Sequence, residues 1–213
     1  MENLAIIGAG GHGQEVAFLV EQINRLSPTW NLLGFVDDQP PSTLTSLAGV
    51  PFLGAVQDLG QLGPKTCIAI AIGSPGTRRD IVFRLNLPAD RFPNLIHPGV
   101  SIHETVQLGF GNLIFAGCQM TVGIQLGNHV HLNQGCTLSH GATLEDFVTL
   151  SPGCHVAGDC TLHRSAFLGT GVNTVQGISI GKECVVGAGA TVVRDLPNNV
   201  VAVGVPAKPI QTS

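Results

Sequence analysis

Histidine and glycine carry most of the chemistry legible in this 213-residue chain. Five of its eight histidines, His129, His131, His140, His155 and His163, fall in one stretch. A neutral imidazole titrating near pH 7 suits the removal of a proton from an attacking amine or hydroxyl, so each of the five is a candidate general base. A second constellation opens the chain: Gly8-x-Gly10-x-x-Gly13 encloses His12, and Asp37 follows where a ribose-binding acid is expected. Free amides at a glycine turn and a helix N-terminus form an anion site, which favours a phosphate-bearing ligand over a plain strand-to-helix turn.

Cysteine offers less. Cys118, Cys136, Cys154, Cys160 and Cys184 recur in one register, Cys67 lies in an apolar run, and Cys-x-x-Cys occurs nowhere. All six read as small buried hydrophobes rather than as a disulfide or metal framework.

What positions these groups is a repeat of six. From Ile96 to Val192 the series Ile96, Ile102, Leu108, Ile114, Met120, Leu126 and onward is apolar at sixteen of seventeen places, broken by Thr174 alone. A second row four residues later, from Val100 to Ala190, is small or apolar except at Asn112. A period of six fits neither a helix nor a plain strand, but it fits a short strand plus a corner. Three such units make a triangular coil of eighteen residues, with residues eighteen apart stacked about 4.8 Å from each other. Glycine directly after the first row, at Gly109, Gly127, Gly169, Gly181 and Gly187, is expected to turn the backbone.

Residues 1–93 read differently. Leu4 to Ile7, Asn31 to Val36 and Cys67 to Ile72 are buried strands, and Gln14 to Leu26 is an amphipathic helix facing inward with Val16, Leu19, Val20 and Ile23. Strand, helix, strand implies a small parallel sheet, a Rossmann-like α/β domain whose ligand lies beyond the strands' carboxyl ends. His12, Asp37, Asp38 and Ser74 should gather there. A dehydrogenase is disfavoured, because residues 94–213 are given over to the coil and leave no separate catalytic domain.

The net charge of −4 offers no basic face for nucleic acid. No apolar run approaches the ~20 residues that span a bilayer, and the start MENLAIIGAG has neither a basic segment nor a long apolar one, so a cytoplasmic protein is expected.

The GAGGHG turn, the strand ending GFVDD, IAIGSPGTRR, Ile96-His97-Pro98, the hexapeptide rows and Val203-Gly204-Val205-Pro206-Ala207-Lys208 together resemble the nucleotide-sugar acetyltransferases of the hexapeptide-repeat family. These act on bacillosamine, perosamine and related amino sugars, and sialic acid O-acetyltransferases share the layout. The resemblance covers nearly the whole chain. It implies a left-handed parallel β-helix, a homotrimer, a nucleotide-sugar held by the N-terminal domain and acetyl-CoA between subunits.

It also implies roles. The catalytic histidine falls on His140, which lies off both inward rows and should face outward; Gly158, eighteen residues on, would aim its amide at the thioester oxygen. Asn133 would sit beside the acceptor. Thr149, Thr170 and Ala188 would meet the cofactor, with Arg194 and Lys208 near its phosphates. Gly10, Gly11, His12, Asp37, Asp38, Ser74 and Arg78 would meet the nucleotide-sugar. Relatives follow the histidine with Asp or Glu, whereas this chain has Gly141, so either the base works unassisted, or another carboxylate such as Glu145 or Asp146 substitutes, or the enzyme is slow. An unassisted base leans toward N-acetylation over O-acetylation, and the missing acid keeps a non-catalytic sugar-nucleotide-binding trimer in view. A zinc enzyme of the carbonic anhydrase type would need three converging histidines. No histidine lies eighteen residues from His129 or His131, so no metal is expected.

Overall fold

The computed structural model describes residues 1–39 and 49–212. Its N-terminal part is a four-stranded parallel sheet in the order β3-β2-β1-β4, formed by β1 (Glu2–Ile7), β2 (Trp30–Val36), β3 (Phe52–Gly54) and β4 (Cys67–Ile70). Leu4, Ala5, Ile6 and Ile7 are buried on both faces, as the central strand of a covered parallel sheet requires. One face is covered by α1 (Gly11–Leu26), which buries Val16, Ala17, Leu19 and Val20. Helix α2 (Pro75–Leu85) was not anticipated, although its start is legible: Ser74 caps it, accepting from Thr77 N at 3.4 Å, and Pro75 opens its first turn.

From Leu95 onward the chain is a β-helix of two-residue parallel strands in three sheets of eight, five and five strands, the largest of them ending in the longer Val200–Val203 and the antiparallel Lys208–Thr212. The register is eighteen through the body of the coil, where Leu113 pairs with His131, His131 with Thr149, Thr149 with Phe167 and Phe167 with Val185, and it shortens to sixteen in the last turn, where Val185 pairs with Val201. Both inward rows fill the core, the cysteines included, and Cys118, Cys136 and Cys154 also donate to the carbonyls of Asn133, Ser151 and Gly169 at 3.1, 3.2 and 3.1 Å. The first coil is the exception. Ile102 is 37% exposed, because no coil lies beneath it.

Both row-breakers are explained by hydrogen bonding. Asn112 is fully buried and its side-chain oxygen accepts from Val130 N at 2.7 Å. Thr174 accepts from Ala157 N through its hydroxyl at 2.9 Å, standing in for the carbonyl where the ladder narrows to the single pair His155 and Asn173.

The glycines after the first row do not turn the backbone. A Cβ at Gly127 would lie 2.7 Å from Asp146 N, and one at Gly169 2.7 Å from Ala188 N, so these residues are glycine because neighbouring coils touch there. The turns lie two residues further on, at Gly111, Gly117, Gly123, Gly135 and Gly141, all with φ between +67° and +70°, except +75° at Gly117. The equivalent corner positions elsewhere hold His129, Phe147, Ser165 and Glu183 above Gly111, and Asp159 above Gly141, with φ from +54° to +64°.

The two parts share cores. Leu4, Phe35 and Val20 pack with Leu95, Leu113 and Phe115. Arg78 of α2, fully buried, reaches into the β-helix and donates to the carbonyls of Ile72 (2.6 Å), His129 (3.1 Å) and Phe147 (2.8 Å) and to Thr149 Oγ1 (2.8 Å). Burial lowers its pKa to about 9, which leaves it cationic at neutral pH. The nearby His129 stacks on Phe147 with ring centroids 5.3 Å apart. Burial and the neighbouring guanidinium pull the His129 pKa down to about 4 and push that of His131 well below its ordinary value, so both are neutral at pH 7.

Candidate active site

His140 follows a two-residue strand, Thr137–Leu138, and stands outside both inward rows with its side chain 57% exposed. One coil above it lies Gly158. A Cβ there would be 2.4 Å from His140 Cε1 and 2.6 Å from Nε2, so the imidazole occupies the space that glycine leaves. Its other nitrogen, Nδ1, is 3.6 Å from Asp159 Oδ1. Asp159 also ties the two coils together by donating its backbone N–H to His140 O at 2.8 Å, and its second carboxylate oxygen accepts from Gln176 Nε2 at 2.9 Å.

Of the other coil histidines, three are enclosed or paired, while His155 is exposed and bonded at Nδ1 alone. His129 is stacked between phenylalanines. His131 lies 3.3 Å from both Arg78 Nη1 and His12 Nε2. His155 meets Thr137 Oγ1 at 2.9 Å. His163 is held at both nitrogens, by Glu145 at 2.9 Å and Ser179 Oγ at 3.1 Å. That pairing also removes Glu145 as the partner of His140. Asp146 is likewise engaged, accepting from Asn128 N at 2.7 Å. The carboxylate beside His140 is Asp159, and neither acid expected from the sequence reaches it.

Gly141 is no defect in this setting. It sits on the corner column where φ is positive throughout, and a Cβ on it would lie 2.3 Å from Asp159 Oδ1. The signal for Asp159 was present in the sequence as the residue eighteen after Gly141, one coil up on the same column.

Of the residues expected around the cofactor, Thr170 and Ala188 are exposed, stacked eighteen apart on one edge, and Thr170 O accepts from Gly189 N at 2.8 Å. Arg194 is exposed on the column of His140, Gly158 and Gln176. Lys208 is exposed on the closing antiparallel pair, Val200–Val203 with Lys208–Thr212. Thr149 does not belong with them. It is 2% exposed, and its hydroxyl accepts from Arg78 and donates to Gly73 O at 3.3 Å, leaving nothing for a ligand. Asn133 is 8% exposed and its amide donates to Leu150 O at 2.8 Å, bracing the coil below His140's partner strands.

At the N-terminal end, Gly10 caps α1 without a side-chain bond and Gly11 opens it; a Cβ on either meets nothing within 4 Å. The amides of this turn are therefore approachable. The glycines the protein itself requires are Gly8, with φ +107°, and Gly13, whose Cβ would lie 2.0 Å from Gly8 O. Asp37 braces the turn, its Oδ2 accepting from Ala9 N at 2.8 Å. Asp38 accepts from Val56 N at 2.9 Å and from Arg84 Nη2 at 3.0 Å; the backbone bond holds its carboxyl below the ordinary range. It lines a cleft of about 300 Å³ with Thr77, Asp80, Ile81 and Arg84.

Three expected sugar contacts do not gather with these. Arg78 has no surface to offer, all of its bonding being internal. His12 leans on the β-helix through His131 and Phe115 and on Glu15 at 3.0 Å, which makes it a docking residue between the two parts. Ser74 faces a separate cleft of about 440 Å³ with Arg79, Phe167 and Glu183.

Residues 3–85 match the PglD N-terminal domain family, and residues 166–194 match the hexapeptide repeat of succinyl-transferase. A UDP-N-acetylbacillosamine N-acetyltransferase of Bacillus subtilis is 35% identical over 114 residues, 52% of this chain and 50% of that protein, so the chain aligns with about half the length of this curated relative. Two solved structures align along their whole length. The acetyltransferase domain of PglB from Neisseria gonorrhoeae, in complex with acetyl coenzyme A, is 32% identical with a TM-score of 0.86, covering 98% of this chain and 99% of that one. PerB from Caulobacter crescentus, in complex with CoA and GDP-perosamine, is 31% identical with a TM-score of 0.85, covering 99% and 98%. With sheet, coil and exposed histidine column on one side and full-length similarity above 30% on the other, the chain belongs to the nucleotide-sugar acetyltransferases of the left-handed β-helix, hexapeptide-repeat family, which use acetyl-CoA.

Proposed function

We propose that this protein transfers the acetyl group of acetyl-CoA to an amino group of a nucleotide-linked amino sugar, with His140 Nε2 as general base. The observation that carries the reading is the exposed imidazole seated over Gly158, its Nε2 in the space that the glycine leaves and its Nδ1 turned toward Asp159. As the amine nitrogen attacks the thioester carbonyl, the new N–C bond forms and Nε2 takes the amine's proton. The oxyanion of the tetrahedral intermediate lies within reach of the Gly158 amide. The C–S bond then breaks, and CoA leaves as a thiolate that takes the proton back from the imidazolium.

In this reading residues 94–213 hold the cofactor, with Thr170 and Ala188 offering backbone groups to the pantetheine arm and Arg194 a charge to the phosphates. Residues 1–93 hold the nucleotide-sugar, with Gly10 and Gly11 presenting amides to its phosphates and Asp37 and Asp38 at its nucleoside. Asn133 supports the acceptor side by fixing its coil. N-acetylation is favoured over O-acetylation because the relatives named above act on, or bind, amino sugars. The working unit is a homotrimer, whose subunit boundary would give the exposed His140 column a second wall. Six free cysteines fit a reducing compartment, the cytoplasm, and no described helix is long and apolar enough to cross a membrane.

The test is release of CoA thiol from acetyl-CoA in the presence of GDP-perosamine or a UDP-linked 4-amino sugar, with the acetylated sugar identified by mass. Acceptor-dependent release of thiol is expected. Binding of both ligands with no transfer to any amino sugar would return the protein to the class of non-catalytic binding trimers.

A further inference from the structure

The carboxylate that serves a catalytic imidazole has to be near the nitrogen that does not perform the chemistry, and it has to be held there. Position 141 cannot supply it here, since it is glycine. We infer that Asp159, fixed by Gln176, is the positioning residue for His140, an acid delivered from the next coil in place of one beside the histidine in sequence. The inference rests on the reading of His140 as base and adds to it the origin of its partner.

Four observations converge on it. Asp159 Oδ1 stands 3.6 Å from His140 Nδ1, leaving Nε2 over Gly158 for the substrate. That separation is longer than a hydrogen bond, as is common before a ligand tightens a catalytic pair. Asp159 Oδ2 accepts from Gln176 Nε2 at 2.9 Å, so the carboxylate is oriented by a side chain of the next coil. The Asp159 backbone N–H donates to His140 O at 2.8 Å, which locks the two residues' coils in register. The space is mutually exclusive: a Cβ at position 141 would lie 2.3 Å from Asp159 Oδ1, so glycine at 141 is what admits the acid from above. Aspartate at 159 adopts φ +57°, a conformation it tolerates better than most side chains.

The experiment combines ring spectroscopy with turnover. In the full-length protein, the ring nitrogens of His140 are followed by NMR in wild type and in Asp159→Asn; loss of the carboxylate should shift the neutral ring away from the Nδ1–H tautomer that leaves Nε2 free. With acetyl-CoA and GDP-perosamine or a UDP-linked 4-amino sugar, Asp159→Asn should lower kcat by about 10- to 100-fold with the KM for acetyl-CoA unchanged. Gln176→Ala should give a smaller loss in the same direction. Moving the acid, in the double variant Asp159→Gly with Gly141→Asp, should recover most of what Asp159→Gly loses, while Gly141→Asp alone gains nothing. An unchanged ring tautomer and unchanged kcat in Asp159→Asn, in an enzyme that His140→Ala inactivates, would overturn the pairing. Turnover surviving His140→Ala would instead refute the base itself, and the ring tautomer would still decide whether the pair exists.

Discussion

At residue scale, the decisive contact is between an imidazole and a missing side chain. Gly158 has no special φ, so alanine is sterically possible for its backbone, but the added methyl would lie 2.4 Å from His140 Cε1. Gly158→Ala should therefore push the ring off its column and lower turnover by about 10²-fold, in the range of losing a positioned base, while thermal stability stays close to wild type. Turnover equal to wild type, measured alongside an unshifted melting curve, would show that the ring does not need that seat. The column logic also explains which residues of the proposed site are legible in the sequence. His140 and Gly158 are eighteen apart and off the inward rows, and both facts are visible in the letters. Thr149 and Arg78 have no such signature, because what fixes them is a buried bond between an α2 side chain and the coil, a tertiary contact 71 residues apart in sequence.

At element scale, the junction of α2 with the β-helix is where charge and burial meet. His129 is held neutral, with a folded pKa of about 4 against an unfolded value of 6.5, and His131 is depressed in the same direction. A group depressed on folding contributes stability that is fully present above its unfolded pKa and is lost as pH falls toward the folded one. Stability should thus be level above about pH 7 and decline below pH 6.5, with about 3 kcal/mol from His129 lost by pH 4. His129→Phe keeps the aromatic stack on Phe147, itself at a positive-φ corner, and should flatten that decline in melting temperatures measured from pH 4 to 8; an equally steep curve would place the proton uptake elsewhere. Arg78→Met should be harsher, destabilising by about 3 kcal/mol or more at neutral pH, since the carbonyls of Ile72, His129 and Phe147 lose a charged donor in the interior. A melting temperature within error of wild type would rule out Arg78 as the tie between the two parts. The sequence announced the coil because its period is local and repeated. It hid α2, whose pattern is weak apart from Ser74 and Pro75, and it misassigned Gly109, Gly127 and Gly169, because close approach between coils and a left-handed corner both favour glycine and only coordinates separate them.

At the scale of the whole molecule, a sheet that presents open amides and a coil that presents a basic side chain share buried cores, so the two ligands are brought to fixed places on one body. Gly11→Val should weaken nucleotide-sugar binding by blocking approach to those amides while leaving CoA affinity intact, a split that calorimetry with each ligand would show. Parallel loss of both affinities would mean general misfolding. The proposed homotrimer would give the exposed His140 column a second wall; sedimentation should then show a trimer, and a stable monomer at micromolar concentration would contradict that proposal. The most direct measurement of the central claim is acetyl transfer by His140→Ala. The account predicts a fall in kcat of about 10²- to 10⁴-fold with acetyl-CoA binding and melting temperature unchanged. Wild-type turnover by that variant at neutral pH would contradict it.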